Sequence, residues 1–285
     1  MAYISFNKLQ LINLEFSLGK ELLRTNRAGS FACTTIIGCN TRKYHGLLIV
    51  PLEKLDGGKH VLLSSVDESI VDQGAIFNLG CNKYPGGIYD PKGHKYAREF
   101  EIEPIPRIFY RVGDVVITKE RLLVENEPRL LTKYTLIECE NPVVFRAKPN
   151  LAFRNMHSLS HANMFANTKY KEVENGIKVK LYEGYPDLVM QFSKKAEFIA
   201  NPHWNYNVEY EEEQKRGYPY QEDLFVPGYF EVNLKKGESV IFSCGIDEIS
   251  TKSIAEKIVS ESTKRIPRNN FYNCLRNSAD RKSVV

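Results

Sequence analysis

At 285 residues, with 42% hydrophobic and 26% charged side chains and no low-complexity tract, the chain has room for one large domain and is too apolar to stay disordered. Its 39 basic and 35 acidic residues leave a net charge of +4, and no Lys/Arg stripe with interleaved aromatics marks a nucleic-acid surface, so no nucleic-acid partner is expected. No apolar run approaches the ~20 residues that cross a bilayer, and the N-terminal segment Met1 to Gln10 lacks the pattern of a signal peptide, which predicts a soluble, cytoplasmic protein without a membrane partner.

Most of the chain alternates apolar and polar residues between Gly, Asn, Asp and Pro turn signals, the pattern of antiparallel strands. Ile108 to Val124 reads as a hairpin turning at Gly113-Asp114. Leu130 to Glu138 and Val143 to Lys148 read as a strand pair joined through Asn141-Pro142. Two more hairpins follow, Tyr170 to Leu181 turning at Asn175-Gly176 and Tyr229 to Cys244 turning at Lys236-Gly237. So many strands with aromatics at alternate positions predict an all-β fold, a large antiparallel β-sandwich (super-sandwich). The one amphipathic helix is Ser250 to Lys264, where Ile254, Ile258 and the Ala255/Val259 pair recur at helical spacing before Pro267. We therefore expect a sandwich over residues 1–249 and a C-terminal helical linker over 250–285.

Cys33, Cys39, Cys81, Cys139, Cys244 and Cys274 contain no CxxC pair, so they read as unpaired, mostly buried thiols rather than a zinc ribbon or redox motif. His157 and His161 stand four apart, but no Glu follows the first and no third ligand is near, so no metal and no cofactor are expected. Three segments break the strand pattern: Thr25 to Gly46, Arg154 to Asn167, and Asn201 to Gly228. Loops placed by a rigid scaffold are where binding residues concentrate.

The first segment gathers Asn26, Arg27, Asn40, Thr41, Arg42, Tyr44 and His45, planar hydrogen-bonding groups that suit a polyhydroxylated ligand. An equally open alternative is that Arg27 and Arg42 tie loops to buried carbonyls while Tyr44 and His45 begin a core strand. The third segment holds the only tryptophan, Trp204, with Tyr206, Tyr210, Tyr218 and Tyr220 among carboxylates. A glucose ring offers an apolar C–H face to an aromatic plane and hydroxyls to carboxylates and guanidinium groups, so this is a plausible glucan platform. The competing reading is a packed loop latched by Arg216 on Glu213 or Glu222.

The stretch NRAGSFACTTIIGCNTRKYHGLL, matching at Asn26, Arg27, Gly29, Phe31, Gly38, Asn40, Thr41, Arg42, Tyr44, His45, Gly46, Leu47 and Leu48, resembles the N-terminal signature of the bacterial and archaeal glycogen debranching enzymes, and EFSLGKE at Glu15 to Glu21 agrees. Arg154 and His157 resemble the family's Arg-x-x-His element. Trp204, Tyr210, Glu213, Arg216, Gly217, Glu222, Asp223, Leu224, Pro227 and Gly228 resemble a later motif, with Asn205 departing where an aromatic is usual. FYNCLRNSAD, Phe271 to Asp280, resembles the lead into the catalytic domain.

The resemblance implies a non-catalytic N-terminal domain of an amylo-α-1,6-glucosidase, a glycoside hydrolase of glycogen catabolism. The acid and base would lie in a helical (α/α) barrel downstream, and the partners would be that barrel and glycogen or another branched α-glucan. The implied substrate-binding residues are Asn26, Arg27, Asn40, Arg42, Tyr44, His45, Arg154, His157, Trp204, Tyr210, Arg216, Glu222 and Asp223. Two alternatives stand beside it: a stand-alone carbohydrate-binding module for maltooligosaccharides, and a structural interaction domain whose exposed interface self-associates. Glu222-Asp223 is no glycosidase pair as written, because neighbouring side chains on a strand point to opposite faces. We expect Arg42, Tyr44 and His45 to cluster at one end of the sandwich with Arg27 or Asn26 close by, and Trp204 to lie at a loop surface or domain interface.

Overall fold

Alternation decides the architecture. In Pro106–Val112 every second residue is buried, and the facing strand Val115–Leu123 likewise buries Val115 and Ile117, so each strand presents one apolar edge to a common interior. The computed structural model describes residues 2–279. Among these residues the strands form two large antiparallel sheets and one small hairpin.

The nine-stranded sheet runs in the order Ser5–Asn7, Ala97–Ile102, Pro106–Val112, Val115–Leu123, Arg129–Glu138, Ser239–Gly245, Leu188–Phe192, Gly176–Val179 and Tyr170–Val173. The eight-stranded sheet runs Glu197–Glu209, Gln221–Leu234, Val143–Asn155, Lys59–Asp72, Gly46–Pro51, Phe31–Thr35 and Glu21–Thr25, with Ala75–Asn78 pairing onto Lys59–Asp72. The small hairpin joins Asn82–Tyr84 to Ile88–Asp90.

The two large sheets pack face to face. Tyr134 of the first lies 4.3 Å, ring to ring, from Phe145 of the second, and Phe192 and Phe242 of the first close on Phe230 of the second at 5.1 and 6.5 Å. Aromatic pairs at such separations add to the area burial that drives the packing. The fold is thus the expected all-β sandwich, and it is not closed into a barrel.

Two expected pairings differ. Arg129–Glu138 and Val143–Asn155 belong to opposite sheets, so Asn141-Pro142 carries the chain across the sandwich instead of closing a hairpin. Lys236-Gly237 does the same between Gln221–Leu234 and Ser239–Gly245. The hairpin at Gly113-Asp114 is as expected, with Val112 facing Val115. In the Tyr170 hairpin Val173 faces Gly176, which makes Glu174-Asn175 the turn, and Asn175 takes the left-handed φ of +48° that Asn tolerates.

The segment Asn201 to Gly228 is not a free loop. It is the end of an edge strand, a short helix Glu211–Lys215, and the start of the neighbouring strand. Its alternation is hidden by bulges at Ala200/His203 and Asn205/Val208, each of which inserts a residue and flips the pattern. The expected C-terminal helix spans Thr251–Thr263, with the Ser250 hydroxyl accepting from the Ser253 amide. It docks Ile254 and Ile258 onto Ile105, Leu122, Val124, Leu131 and Ile241 on the outer face of the nine-stranded sheet. A second helix covers Phe271–Ala279, and Asp280 to Val285 of the expected linker lie outside the described residues. Among the described residues no helix is long and apolar enough to cross a membrane.

Candidate functional site

The outer face of the eight-stranded sheet carries its own small apolar cluster: Ile49, Val61, Ala152, Val208, Tyr210 and Leu224, flanked by Phe31, Tyr84, Met156 and Leu159. It brings together parts of all three segments that broke the strand pattern, Thr41 to His45, Arg154 to Ala162 and Asn205 to Asp223.

Two bulges shape this face of the sheet. In Val143–Asn155, Leu151 faces Leu63 while Arg154 faces Val61, so three steps on one strand oppose two on the other. Phe153 absorbs the bend at φ +47°, a strained conformation for a bulky residue, and Arg154 is thereby brought to Glu222. Opposite it, Asn205 faces Leu224 and Val208 faces Glu222. That bulge detaches the Asn207 N–H from the ladder, and Asp223 Oδ1 accepts it at 2.8 Å.

Glu222 is the hub. It is fully buried, and its carboxyl receives Arg154 Nε and, at 3.0 Å, Arg154 Nη2. It also receives the Tyr210 hydroxyl and, at 3.0 Å each, the amide and hydroxyl of Ser160. Burial, reinforced by the Glu222 charge, pushes the Tyr210 phenol well above its ordinary value. Arg154 Nη2 also donates to the Lys43 carbonyl at 2.8 Å. The neighbouring Asp223 accepts from the Ala162 amide at 3.0 Å, and its own amide donates to the Ser160 carbonyl at 2.9 Å. Both carboxyls are therefore committed to holding loops, and neither faces open space where a scissile bond could lie. The latch that the competing reading gave to Arg216 is made by Arg154 instead; the Arg216 side chain is exposed and has no partner among the described residues.

A second polar knot adjoins the first. Arg42 Nε donates to Glu21 Oε1 at 2.6 Å, and Arg42 Nη2 lies 3.8 Å from Glu212 Oε2. His45 is fully buried; its Nδ1 accepts the Thr41 amide at 3.1 Å, which leaves the proton on Nε2, 3.3 Å from Glu21 Oε1. The His45 ring, and with it the Arg42 guanidinium, outweigh the cost of burial and hold the Glu21 carboxyl down to about 2. Glu21, Cys33 and His45 offer ligand-type atoms within 4.8 Å of one another. A protonated Nε2 has no lone pair for a metal, and Arg42 already occupies Glu21, so this trio is read as a polar knot.

Over these ties lies a layer that reaches the surface, half-buried at Lys43 and Tyr44 and exposed at His157 and Tyr218. Lys43 Nζ sits 5.3 Å from the Tyr44 ring centroid and 5.7 Å from that of Tyr218. The Tyr44 hydroxyl lies 3.4 Å from His157 Nδ1, the rings edge to face. His161 Nδ1 is 3.7 Å from Asp223 Oδ2, so the two histidines serve different neighbours.

Other expected residues lie elsewhere. Asn26 is buried, accepting from the Ala28 and Ser30 amides at 3.0 Å each and donating to the Glu127 carbonyl at 2.7 Å, while Arg27 pairs with Glu125 at 2.8 Å. Thr25 faces Phe31 and Glu21 faces Thr35, so Asn26 and Arg27 follow the end of a strand whose Thr25 already lies roughly 13 Å from Glu21, and they do not join Arg42. Asn40 turns inward, accepting from Thr34 Oγ1 at 2.8 Å and donating to the Ser64 carbonyl at 3.1 Å. Trp204 lies in the edge strand Glu197–Glu209, half-buried and edge-on to Phe225 at 5.4 Å. Lys43, Ser160 and Glu212 were missed: lysine and serine are common everywhere, and only the fold brings them to the motif residues.

A family model described as "Glycogen debranching enzyme N terminal" matches residues 20–241. No curated protein matches the sequence. Among solved structures, the chain is similar to a bacterial glucoamylase complexed with acarbose (8% identity, TM-score 0.44, 98% of this chain and 37% of that one). It is also similar to a GalM/aldose epimerase homologue from C. elegans (10%, 0.42, 81% and 99%) and to a 4-alpha-glucanotransferase from Thermococcus litoralis (12%, 0.40, 80% and 37%). The chain thus spans little more than a third of the glucoamylase it aligns with.

Proposed function

Because the chain belongs to the family of glycogen debranching enzyme N-terminal domains, we propose that it is the non-catalytic sandwich of a cytoplasmic amylo-α-1,6-glucosidase, packing beside a separate catalytic barrel and contributing to the binding of a branched α-glucan. One observation carries this reading. Three segments distant in sequence are locked together by the buried Arg154–Glu222 tie, and the rigid support presents Lys43, Tyr44, His157 and Tyr218 as one surface. Aromatic edges beside a cation and an imidazole offer a sugar both C–H contact and hydrogen bonds. Catalysis is assigned to the partner domain, since Glu222 and Asp223 are consumed by structure.

The test is a titration of the chain with maltooligosaccharides followed by backbone amide shifts. Saturable shifts at Lys43, Tyr44 and Tyr218, lost in Tyr218→Ala, support the reading. Silence there at all concentrations would remove the binding role. The interaction-domain reading keeps one specific support: Phe271, Tyr272 and Leu275 of the last helix are 59, 68 and 51% exposed, an apolar surface of the kind that packs on a neighbouring domain.

A further inference from the structure

We propose a second saccharide subsite, in the groove on the outer face of the eight-stranded sheet beside the small hairpin Asn82–Asp90. The groove has a volume of about 430 Å³, within the ~300–1,000 Å³ of small-molecule sites. Its floor follows from strand alternation. Phe145, Ala147, Phe230 and Ile70 point into the sandwich core, so Arg146, Lys148, Tyr229 and Ser69, offset by one residue, point out. The strand Ala75–Asn78 and the small hairpin supply the walls through Asn78, Tyr84 and Asp90.

The chemistry of the lining selects the ligand. Two cations, Arg146 and Lys148, face two carboxylates, Asp67 and Asp90, and most are already balanced. Lys148 Nζ lies 3.4 Å from Asp67 Oδ2, and Arg146 Nε donates to Glu231 at 2.6 Å. Such a groove has no net positive charge with which to hold a phosphate or polyanion.

What remains without a protein partner is polar: one carboxylate, one hydroxyl and one amide. Among the described residues, the Asp90 carboxylate, the Tyr229 hydroxyl and the Asn78 amide N–H groups have no hydrogen-bond partner. Asp67 is fixed by Asn82 and Asn150, each donating at 3.0 Å. The Tyr229 ring is steadied by the Arg146 guanidinium 5.1 Å away, and the Tyr84 hydroxyl by Asn205 at 2.8 Å. Two held aromatic rings with acceptors and donors between them match a pyranose, which has apolar C–H faces and a rim of vicinal hydroxyls. Tyr84 also flanks the apolar cluster under the loop site, so the groove and that site are neighbours on one face. That the pyranose is a glucosyl unit rests on the proposed function.

The experiment is the amide-shift titration with maltotriose and maltohexaose on the whole chain, read at Ser69, Lys148 and Asp90, with Tyr229→Leu, Asp90→Asn and Tyr218→Ala variants beside it. Saturable shifts at the groove, with affinity at least tenfold weaker in Tyr229→Leu and in Asp90→Asn and unchanged in Tyr218→Ala, are expected. Asp90→Asn changes an exposed side chain, so its loss of binding cannot be mistaken for misfolding. Shifts confined to Lys43, Tyr44 and Tyr218 would overturn the groove while leaving the proposed function standing. Groove shifts with inorganic phosphate in place of the sugars would overturn it as well.

Discussion

Arg154 meets the Glu222 carboxyl with two guanidinium nitrogens, and both side chains are shut from solvent, 4% and 0% exposed. The pair does not stand alone: Tyr210 and Ser160 complete the carboxyl's hydrogen bonds, and the Lys43 carbonyl takes a further guanidinium N–H. A buried ion pair gains little over an apolar replacement, but removing one partner strands the other in low dielectric. Arg154→Met is therefore expected to cost about 3–5 kcal/mol. The double variant Arg154→Met/Glu222→Leu should cost about 1–3 kcal/mol less than the sum of the two single changes. Urea unfolding of the four proteins measures the coupling; additive losses would show that the two side chains do not act as one unit.

The same commitment of Glu222 predicts that the chain by itself releases no glucose from a branched limit dextrin. General acid and base groups must flank the scissile bond ~5–9.5 Å apart across it, whereas Glu222 is wrapped by Arg154, Tyr210 and Ser160, and Asp223 holds the amides of Ala162 and Asn207. Measured hydrolysis that disappears in a folded Asp223→Asn variant would contradict this.

Glu21 makes stability depend on acid pH in a defined window. Its carboxyl is held down to about 2 from an ordinary 4.5, first by His45 and then by Arg42. A group whose folded value is depressed binds protons more readily when unfolded, so its contribution is complete above pH 4.5 and is lost as pH falls toward 2. Solvent reaches over a third of the side chain, which screens the effect to a fraction of the full linkage. Glu21→Gln should accordingly flatten the stability curve between pH 4.5 and 2 while leaving its slope above pH 6 unchanged. Identical slopes in the two proteins across the acid window would refute the assignment.

The sandwich was legible because alternation and Gly/Asn turns are local signals, and the Gly113-Asp114 hairpin and the helix after Ser250 fall where those signals put them. Sheet membership was not. Asn141-Pro142 and Lys236-Gly237 look like any other turn, and whether the chain folds back in its own sheet or crosses to the other depends on the far side of the core. Bulges at Ala200/His203 and Asn205/Val208 erased the alternation that would have marked 201–209 as strand, and the one at Leu151/Arg154 did the same to the end of Val143–Asn155. They also explain why Arg154, Trp204, Glu222 and Asp223 read as loop although they sit on strands. The motifs marked Arg42, Tyr44, Arg154 and Glu222 as candidate binding residues in three separate segments, but not which were tie and which were surface. Asn26 and Asn40 prove to be internal hydrogen-bonding residues.

Trp204 separates the two roles most directly. Its indole lies across from Phe225 in the strand register and meets that ring edge to face at 5.4 Å, tilted by 67°. It is half-buried against the main core, so part of its surface is already taken up by packing. A fully buried large aromatic costs about 3–5 kcal/mol on truncation to alanine. An edge-strand residue that keeps part of its surface in water should lose less, about 1.5–3 kcal/mol for Trp204→Ala. Its affinity for maltohexaose should stay within twofold of the parent, because the indole's ring contact is with Phe225 and not with Tyr218 or Tyr229. Unfolding midpoints and a sugar titration on the one variant decide the matter. An unchanged midpoint together with a tenfold loss of sugar affinity would restore Trp204 to the binding surface and take it out of the packing of the edge strand.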